Sequence, residues 1–165
     1  MKELTLIGQC FVLLLLLSDV HADGNNFPQP TNFSSTGHDA RIKSIPIMVL
    51  FSSIHCDYCK FIKEEFFNPM IKSGDYLDKV IIKVVEDDEG DEVIDFNNKI
   101  IASGDFADRY EIIFTPTIVL IDSEGIEVTE RIVGLGNVEY FGGFLDEAID
   151  NAQIKIRSTM VVVAE

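Results

Sequence analysis

The sequence predicts an α/β protein in which a mixed central β-sheet is flanked by α-helices. Three observations lead to this prediction. An apolar segment typical of a buried strand, 45–51, runs directly into a helical segment that carries two cysteines. Strands and helices then alternate along the chain, which favours parallel strands joined by right-handed crossovers. A turn signal at 122–125 adds one hairpin, so at least one pair of strands is antiparallel and the sheet is mixed.

The first half of the domain is predicted from its apolar runs. A short helical segment near 39–44 leads into the strand 45–51, whose unbroken apolar character is typical of a strand covered on both faces. Residues 79–85 are β-branched and apolar, which indicates a second strand. The acidic run 86–92 then predicts a solvated loop.

The helix between these strands begins at the cysteines. Cys59, Ile62 and Phe66 recur at steps of three and four residues, so they share one face. Asn68 and Pro69 follow, and we expect them to end the helix.

The second half contains a helix, a hairpin and a final helix. Residues 93–104 fit neither period, a helix is expected near 105–110, and the apolar run 117–121 predicts a strand. The turn 122–125 joins it to an antiparallel partner over 126–133. Asn137 caps a last helix that runs to Ala152 with one apolar stripe. The stripe consists of Phe141, Phe144, Leu145, Ala148 and Ile149.

The first 22 residues have the features of a secretory signal peptide. Lys2 gives a positive start, residues 4–17 are apolar, and residues 20–22 (Val-His-Ala) resemble a cleavage site. A retained membrane anchor is the alternative, but the apolar stretch is shorter than the roughly 20 residues that cross a bilayer. We therefore expect an exported protein, periplasmic or secreted.

The rest of the chain divides into three parts. Residues 23–37 are rich in Gly, Asn, Pro, Ser and Thr, which is typical of a linker. Residues 38–152 form the folded domain, and 153–165 form a C-terminal tail whose apolar end either packs as a strand or stays loose. The formal net charge of −15 argues against nucleic acid or an anionic membrane surface as a partner.

The motif Cys56-Asp57-Tyr58-Cys59 is the feature that indicates chemistry. Its first cysteine lies where the positive end of a helix favours a thiolate, and the second follows one turn later, close enough to form a disulfide. Cys10 lies in the apolar signal segment and leaves with it. The alternative, a structural staple, gains little from a loop this short. The pair Cys56 and Cys59 therefore predicts a redox centre.

Four segments together resemble the thioredoxin superfamily over about residues 38–152. They are Phe51 followed five residues later by the CxxC, the segment 81–87 (Ile-Ile-Lys-Val-Val-Glu-Asp), the segment 106–117 ending in Thr-Pro-Thr, and Gly125 with Gly134. Residues 94–99 look like the extra segment of exported, SoxW-type thioredoxin-like proteins. The resemblance implies a thioredoxin-like fold and a cis peptide bond between Thr115 and Pro116, which leaves the Thr115 backbone free to pair with an extended substrate beside Cys56.

The flanks of the motif differ from those of cytosolic thioredoxins. His55 replaces their usual tryptophan, Asp57 and Tyr58 replace Gly-Pro, and Leu50 stands where they have a buried aspartate. A protonated His55 would stabilise the Cys56 thiolate and make the couple more oxidising, whereas Asp57 favours a reductant. We expect Tyr58 to shape the substrate contact surface.

The residues and the resemblance predict an exported thiol–disulfide oxidoreductase. Cys56 attacks a substrate disulfide and Cys59 resolves the mixed disulfide, so no cofactor and no metal is needed. Thr115 before Pro116, as in many family reductases and isomerases, favours a reductase of protein or small-molecule disulfides. Its electrons would come from a membrane thiol donor, and we expect a monomer.

Three alternatives stay open. The same fold serves disulfide isomerases and oxidases, and the direction depends on the redox potential. A binding module with a permanent Cys56–Cys59 bond is a second alternative. A metal site is the third, but only His38 and His55 accompany the two cysteines after export, and adjacent His55 and Cys56 are poorly placed for one tetrahedral centre.

Overall fold

A computed structural model describes residues 30–88 and 90–163, with side chains through residue 159. The predicted signal peptide, 1–22, lies outside the described residues. The elements in chain order are β1 (Thr31–Asn32), α1 (Phe33–Lys43), β2 (Ile47–Ser52), α2 (Asp57–Ile62), a π-helical segment (Lys63–Phe67), α3 (Asn68–Ser73), β3 (Ile81–Glu86), β4 (Glu92–Ile94), β5 (Ile100–Ala102), α4 (Ser103–Asp108), β6 (Thr117–Ile121), β7 (Ile132–Val133) and α5 (Val138–Val163).

The central sheet is mixed, as the sequence predicts. Its strand order is β3-β2-β6-β7, with β2 parallel to β3 and antiparallel to β6. All six residues of β2 are buried, which explains why this strand has no polar alternation. Met48 and Leu50 point into a core shared with α5, while Val49 and Phe51 point into a core shared with α1 and α4. One packed core therefore lies on each face of β2, and the chain leaves the sheet between them at the carboxyl end of the strand.

The N-terminal part of the domain begins earlier than expected. The sequence predicts a linker over 23–37 and a helix near 39–44, but α1 starts at Phe33 and β1 precedes it. Phe33 is fully buried and stacks on Phe106 with ring centroids 4.4 Å apart. Asn32 caps α1 by accepting a hydrogen bond from the backbone N–H of Ser35. Because this aromatic side chain is buried in the core, residues 31–37 are part of the folded domain.

A second, three-stranded sheet occupies the region that the sequence left ambiguous. Its order is β1-β4-β5, with β1 parallel to β4 and β4 antiparallel to β5. The acidic run 86–92 is predicted to be a solvated loop; its two ends, Glu86 and Glu92, belong to β3 and β4, and the described residues between them lie outside helices and strands.

The predicted end of the cysteine helix at Pro69 is wrong. α2, the π-helical segment and α3 follow one another without a break, and the run ends at Gly74, whose φ is +78°. Pro69 lies at the start of α3, where the π-helical segment before it changes the hydrogen-bond spacing and so accommodates a residue without an N–H. Phe67 and Met70 are buried on either side of the proline, and this packing keeps the segment helical.

The hairpin and the last helix also differ in extent. The predicted partner strand 126–133 pairs with β6 only through a bridge at Glu127 and through β7. Asn137 caps α5 as predicted, accepting from the Glu139 N–H at 3.0 Å, but α5 continues to residue 163 because Ile156 also packs into the core. The predicted tail is therefore helical over 153–163. Phe144 is 49% exposed, so it does not belong to the buried stripe.

α5 is the longest of the described helices. Over the parts of the chain that the structure describes, no helix combines the length and the apolar character needed to cross a membrane.

Candidate redox site

The two cysteines lie just beyond the carboxyl end of β2. The strand ends at Ser52, and a tight turn follows in which the Cys56 N–H donates to the Ser53 carbonyl at 3.1 Å. Cys56 is the N-cap of α2, with extended backbone angles, and its Sγ accepts a hydrogen bond from the Cys59 N–H at 3.1 Å. A sulfur in this position accepts from the unpaired amides of the first helical turn, an environment that stabilises a thiolate.

Cys56 and Cys59 form a disulfide, with an S–S distance of 1.99 Å and Cα atoms 5.2 Å apart. Their exposures differ: Cys59 is fully buried, whereas Cys56 is partly exposed. A dithiol–disulfide pair arranged in this way supports thiol–disulfide exchange in which one sulfur is reachable from outside.

Asp88 holds the turn that precedes Cys56. Its Oδ1 accepts from the Ser53 hydroxyl at 2.9 Å, and its Oδ2 accepts from the Ile54 N–H at 2.8 Å. The neighbouring Asp87 N–H donates to the Ser52 carbonyl at 2.7 Å. The acidic loop therefore supports the cysteine turn, a role that the sequence reading missed. The available signal is the parallel pairing of the two strands, which brings the residues after β3 beside those after β2.

Charged groups also lie under the cysteine helix. Lys63 Nζ, one turn beyond Cys59, donates to Glu86 Oε1 at 2.7 Å, and both side chains are mostly buried. Glu86 is paired across the sheet with Ser52. Among the described residues, Glu86 Oε2 and the Ser52 hydroxyl have no hydrogen-bond partner. Leu50 is fully buried in the apolar core.

Thr115 and Pro116 lie beside the same end of the sheet. The peptide bond between them is cis. β6 begins at Thr117, which is opposite Phe51, so Pro116 lies next to the turn that leads to Cys56. Pro116 is buried, and its carbonyl accepts from the Gly134 N–H at 2.8 Å.

The remaining predicted site residues surround the motif on the outside. His55 and Asp57 are exposed, and Tyr58 is 65% exposed. The structure also places Ile113 and Phe114 in this region, directly before Thr115, as exposed apolar side chains. In the sequence these two residues belong to the segment 106–117. They are apolar, whereas the surface of such an acidic chain is expected to be polar. This difference is a signal that could have identified them.

The described part of the chain contains no group of side chains suited to bind a metal ion. Within it, no three His, Cys, Asp or Glu side chains are grouped closely enough to hold a metal ion.

Comparison with family models identifies one family. Residues 35–149 match the model of the thioredoxin-like domain family. Oxidised thioredoxin O2 from Arabidopsis thaliana is 22% identical, with 70% of this chain and 84% of that chain covered and a TM-score of 0.48. A thioredoxin-fold protein from Helicobacter pylori is 20% identical, with 72% and 86% covered and a TM-score of 0.46. No match was found among curated proteins.

The family match covers well over half of the chain, and the CxxC disulfide lies within the matched residues. This protein belongs to the thioredoxin-like domain family.

Proposed function

We propose that this protein is an exported thiol–disulfide oxidoreductase that reduces disulfide bonds in other exported proteins. The observation that supports it most directly is the difference between its two cysteines. Cys56 is partly exposed at the start of a helix, and Cys59 is buried one turn further along. One sulfur can therefore meet a substrate while the other is protected until a mixed disulfide has formed.

The proposed reaction uses only the two sulfurs of the CxxC. The Cys56 thiolate attacks one sulfur of a substrate disulfide, and the first substrate thiolate leaves and takes a proton from solvent. Cys59, after losing its proton, attacks Cys56 Sγ and displaces the second substrate thiolate. Two electrons pass to the substrate, and the protein is left with the Cys56–Cys59 disulfide that the structure contains.

Substrate binding is assigned to the surface beside Cys56. Thr115, next to buried Pro116, would pair its backbone with an extended substrate segment, as a strand adds to a sheet edge. Tyr58 would contact the same segment. His55 and Asp57, both exposed beside Cys56, would tune the stability of its thiolate in opposite directions.

The reducing direction requires a source of electrons outside the cytosol. A membrane thiol donor that reduces Cys56–Cys59 would close the cycle, and cleavage after Ala22 would release the mature protein. N-terminal sequencing of the protein recovered from a secreting host tests this part. A chain that still begins at Met1 in the cytosol would contradict export.

Reduction of insulin disulfides by the purified protein, with dithiothreitol as electron source, tests the chemistry. We expect Cys56→Ser to abolish the activity, whereas Asp150→Asn, at an exposed position on α5, leaves it unchanged. Cys59→Ser should accumulate a mixed disulfide with its substrate, because the resolving thiol is missing. Equal rates for the wild type and Cys56→Ser would refute the proposal.

The redox potential separates a reductase from the other activities of the fold. Equilibration of the CxxC with glutathione should give a value near the thioredoxin range of about −270 mV. A value near −120 mV would indicate an oxidase instead. A bond that resists mild reductant would indicate a binding module.

A further inference from the structure

An apolar surface surrounds the redox site. It consists of Ile54, Tyr58, Ile113 and Phe114, which are 65–80% exposed. Ile54 and Tyr58 flank Cys56 in the chain, and the other two directly precede Thr115. Large apolar side chains exposed beside a reactive cysteine mark a contact surface. We call these four residues the apolar rim.

An acidic hollow adjoins the apolar rim. It has a volume of about 350 Å³ and is open to solvent. None of its described lining residues is basic; they are Asp87, Asp88, Gly90, Asp91, Glu92, Ala102 and Gly104. The hollow and the rim are joined directly, because Asp88 accepts the hydrogen bond from the Ile54 N–H.

The charges in the hollow are not neutralised by the neighbouring lysines and arginine. Lys60 and Lys63 on the cysteine helix pair with glutamates, and Arg109 pairs with Asp95. Burial, followed by the carboxylates of Asp108 and Asp88, raises the pKa of Asp87. A cation entering the hollow would relieve this repulsion between like charges.

We propose that the substrate proteins present an extended segment in which a lysine or arginine close to the reacting cysteine accompanies apolar residues. The basic side chain enters the acidic hollow, and the apolar residues lie on the apolar rim. The inference rests on the proposed function, since it assigns the substrate class of the same site. Its basis is charge complementarity beside an exposed apolar surface.

Three disulfide-bonded peptides of identical apolar sequence test this inference. They differ only at two positions next to the cysteine, which are lysine, glutamine or glutamate. We expect kcat/KM for the lysine peptide to exceed that for the glutamine peptide by roughly fivefold at low salt, with the glutamate peptide slowest. The differences should shrink at high salt because screening weakens exposed charge pairs.

Variants of the protein test which residues cause the preference among the three peptides. Asp87→Asn/Asp91→Asn should bring the ratio of the lysine to the glutamine peptide close to one, and Asp91→Asn alone should lower it in part. Glu147→Gln/Asp150→Asn removes two charges from exposed positions on α5 and should leave the ratio unchanged. Phe114→Ser should lower kcat/KM for all three peptides, since it removes apolar contact rather than charge.

The possible outcomes separate the two proposals. Equal kcat/KM for the three peptides, or a preference for glutamate, overturns the inference but leaves the proposed oxidoreductase intact. Failure to reduce any peptide, together with failure in the insulin assay, overturns the proposed function itself. A preference for lysine that survives in Asp87→Asn/Asp91→Asn would contradict the assignment to the hollow.

Discussion

Lys63 and Glu86 form an ion pair between the cysteine helix and the central sheet, with 2.7 Å between Nζ and Oε1. The two side chains are 20% and 11% exposed, so water screens the pair only weakly. Lys63 opens the π-helical segment and Glu86 ends β3, both close in the chain to residues of the redox site. The pair therefore fixes the second turn of the cysteine helix to the strand beside β2.

Lys63→Met should be strongly destabilising, because it leaves the Glu86 carboxylate buried without its partner. We expect a loss of roughly 3 kcal/mol in the free energy of unfolding, measured by urea denaturation. Lys60→Met is the matched control: Lys60 and Glu64 are exposed and 3.9 Å apart, so a change below about 0.5 kcal/mol is expected. The double variant Lys63→Met/Glu86→Leu should recover most of the loss. Equal losses of unfolding free energy for Lys60→Met and Lys63→Met would show that burial of the Lys63–Glu86 pair adds nothing to the cost of removing the lysine.

Gly37 and Gly143, both within helices, should respond to alanine in opposite directions. An added Cβ at Gly37 would meet the Ser123 carbonyl oxygen at 2.5 Å, whereas nothing lies within 4 Å at Gly143. Helix propensity alone predicts a gain of up to about 1 kcal/mol for either substitution. We expect that gain for Gly143→Ala and a lower melting temperature for Gly37→Ala, because backbone atoms must shift. Stabilisation by both substitutions would contradict the close contact.

Asp95 should make the stability of the protein sensitive to acid. Its carboxylate is 1% exposed, and hydrogen bonds from the Lys99 N–H, the Arg109 guanidinium and the Asn97 N–H lower its pKa. A lowered folded pKa stabilises the protein above the unfolded value of about 3.9, and this contribution is lost as the pH falls through the folded pKa. Asp95→Asn should therefore be less stable at pH 7, and its free energy of unfolding should depend less on pH below about 4.

Urea denaturation at pH 7, 5 and 3.5 measures this dependence. Asp150→Asn, which removes an exposed carboxylate from α5, should retain the wild-type curve. If Asp95→Asn also retains that curve, the hydrogen bonds to Asp95 do not stabilise its charged form.

The strands and their pairing were largely predictable, since β-branched apolar runs have few alternative structures. The strand 117–121 is observed with its predicted bounds, and the continuous apolar run 45–51 contains most of β2. The errors lie where distant residues decide the local structure. Burial of Phe33 against Phe106 is invisible in a Ser-, Thr- and Gly-rich segment, and the π-helical turn that accommodates Pro69 has no simple sequence period.

Only the part of the redox site that lies in the CxxC motif was predictable from the sequence. The CxxC identifies Cys56 and Cys59 because this spacing at the start of a helix brings the two sulfurs within bonding distance. The support for the turn comes from Asp88, more than thirty residues later in the chain. It depends on the in-register pairing of Ser52 with Glu86, which a strand prediction does not specify. Composition predicts the solvent exposure of Asp87 and Asp91, but it does not predict the hydrogen bonds that Asp88 makes to the turn.

Asp88→Ala should impair disulfide reduction more than it impairs folding. The substitution removes both hydrogen bonds that Asp88 accepts from the turn before Cys56, those from the Ser53 hydroxyl and the Ile54 N–H, while the sheet and both cores stay intact. We expect kcat/KM for insulin to fall roughly tenfold, because a displaced nucleophile loses productive orientation. Asp88→Asn should lose less, since its amide oxygen can still accept one of the two bonds. The matched control Asp150→Ala removes an exposed carboxylate from α5, which carries neither the turn nor the acidic hollow, and we expect an effect on insulin reduction of less than about threefold. Equal rates for the wild type and Asp88→Ala would show that the turn holds its shape without the carboxylate.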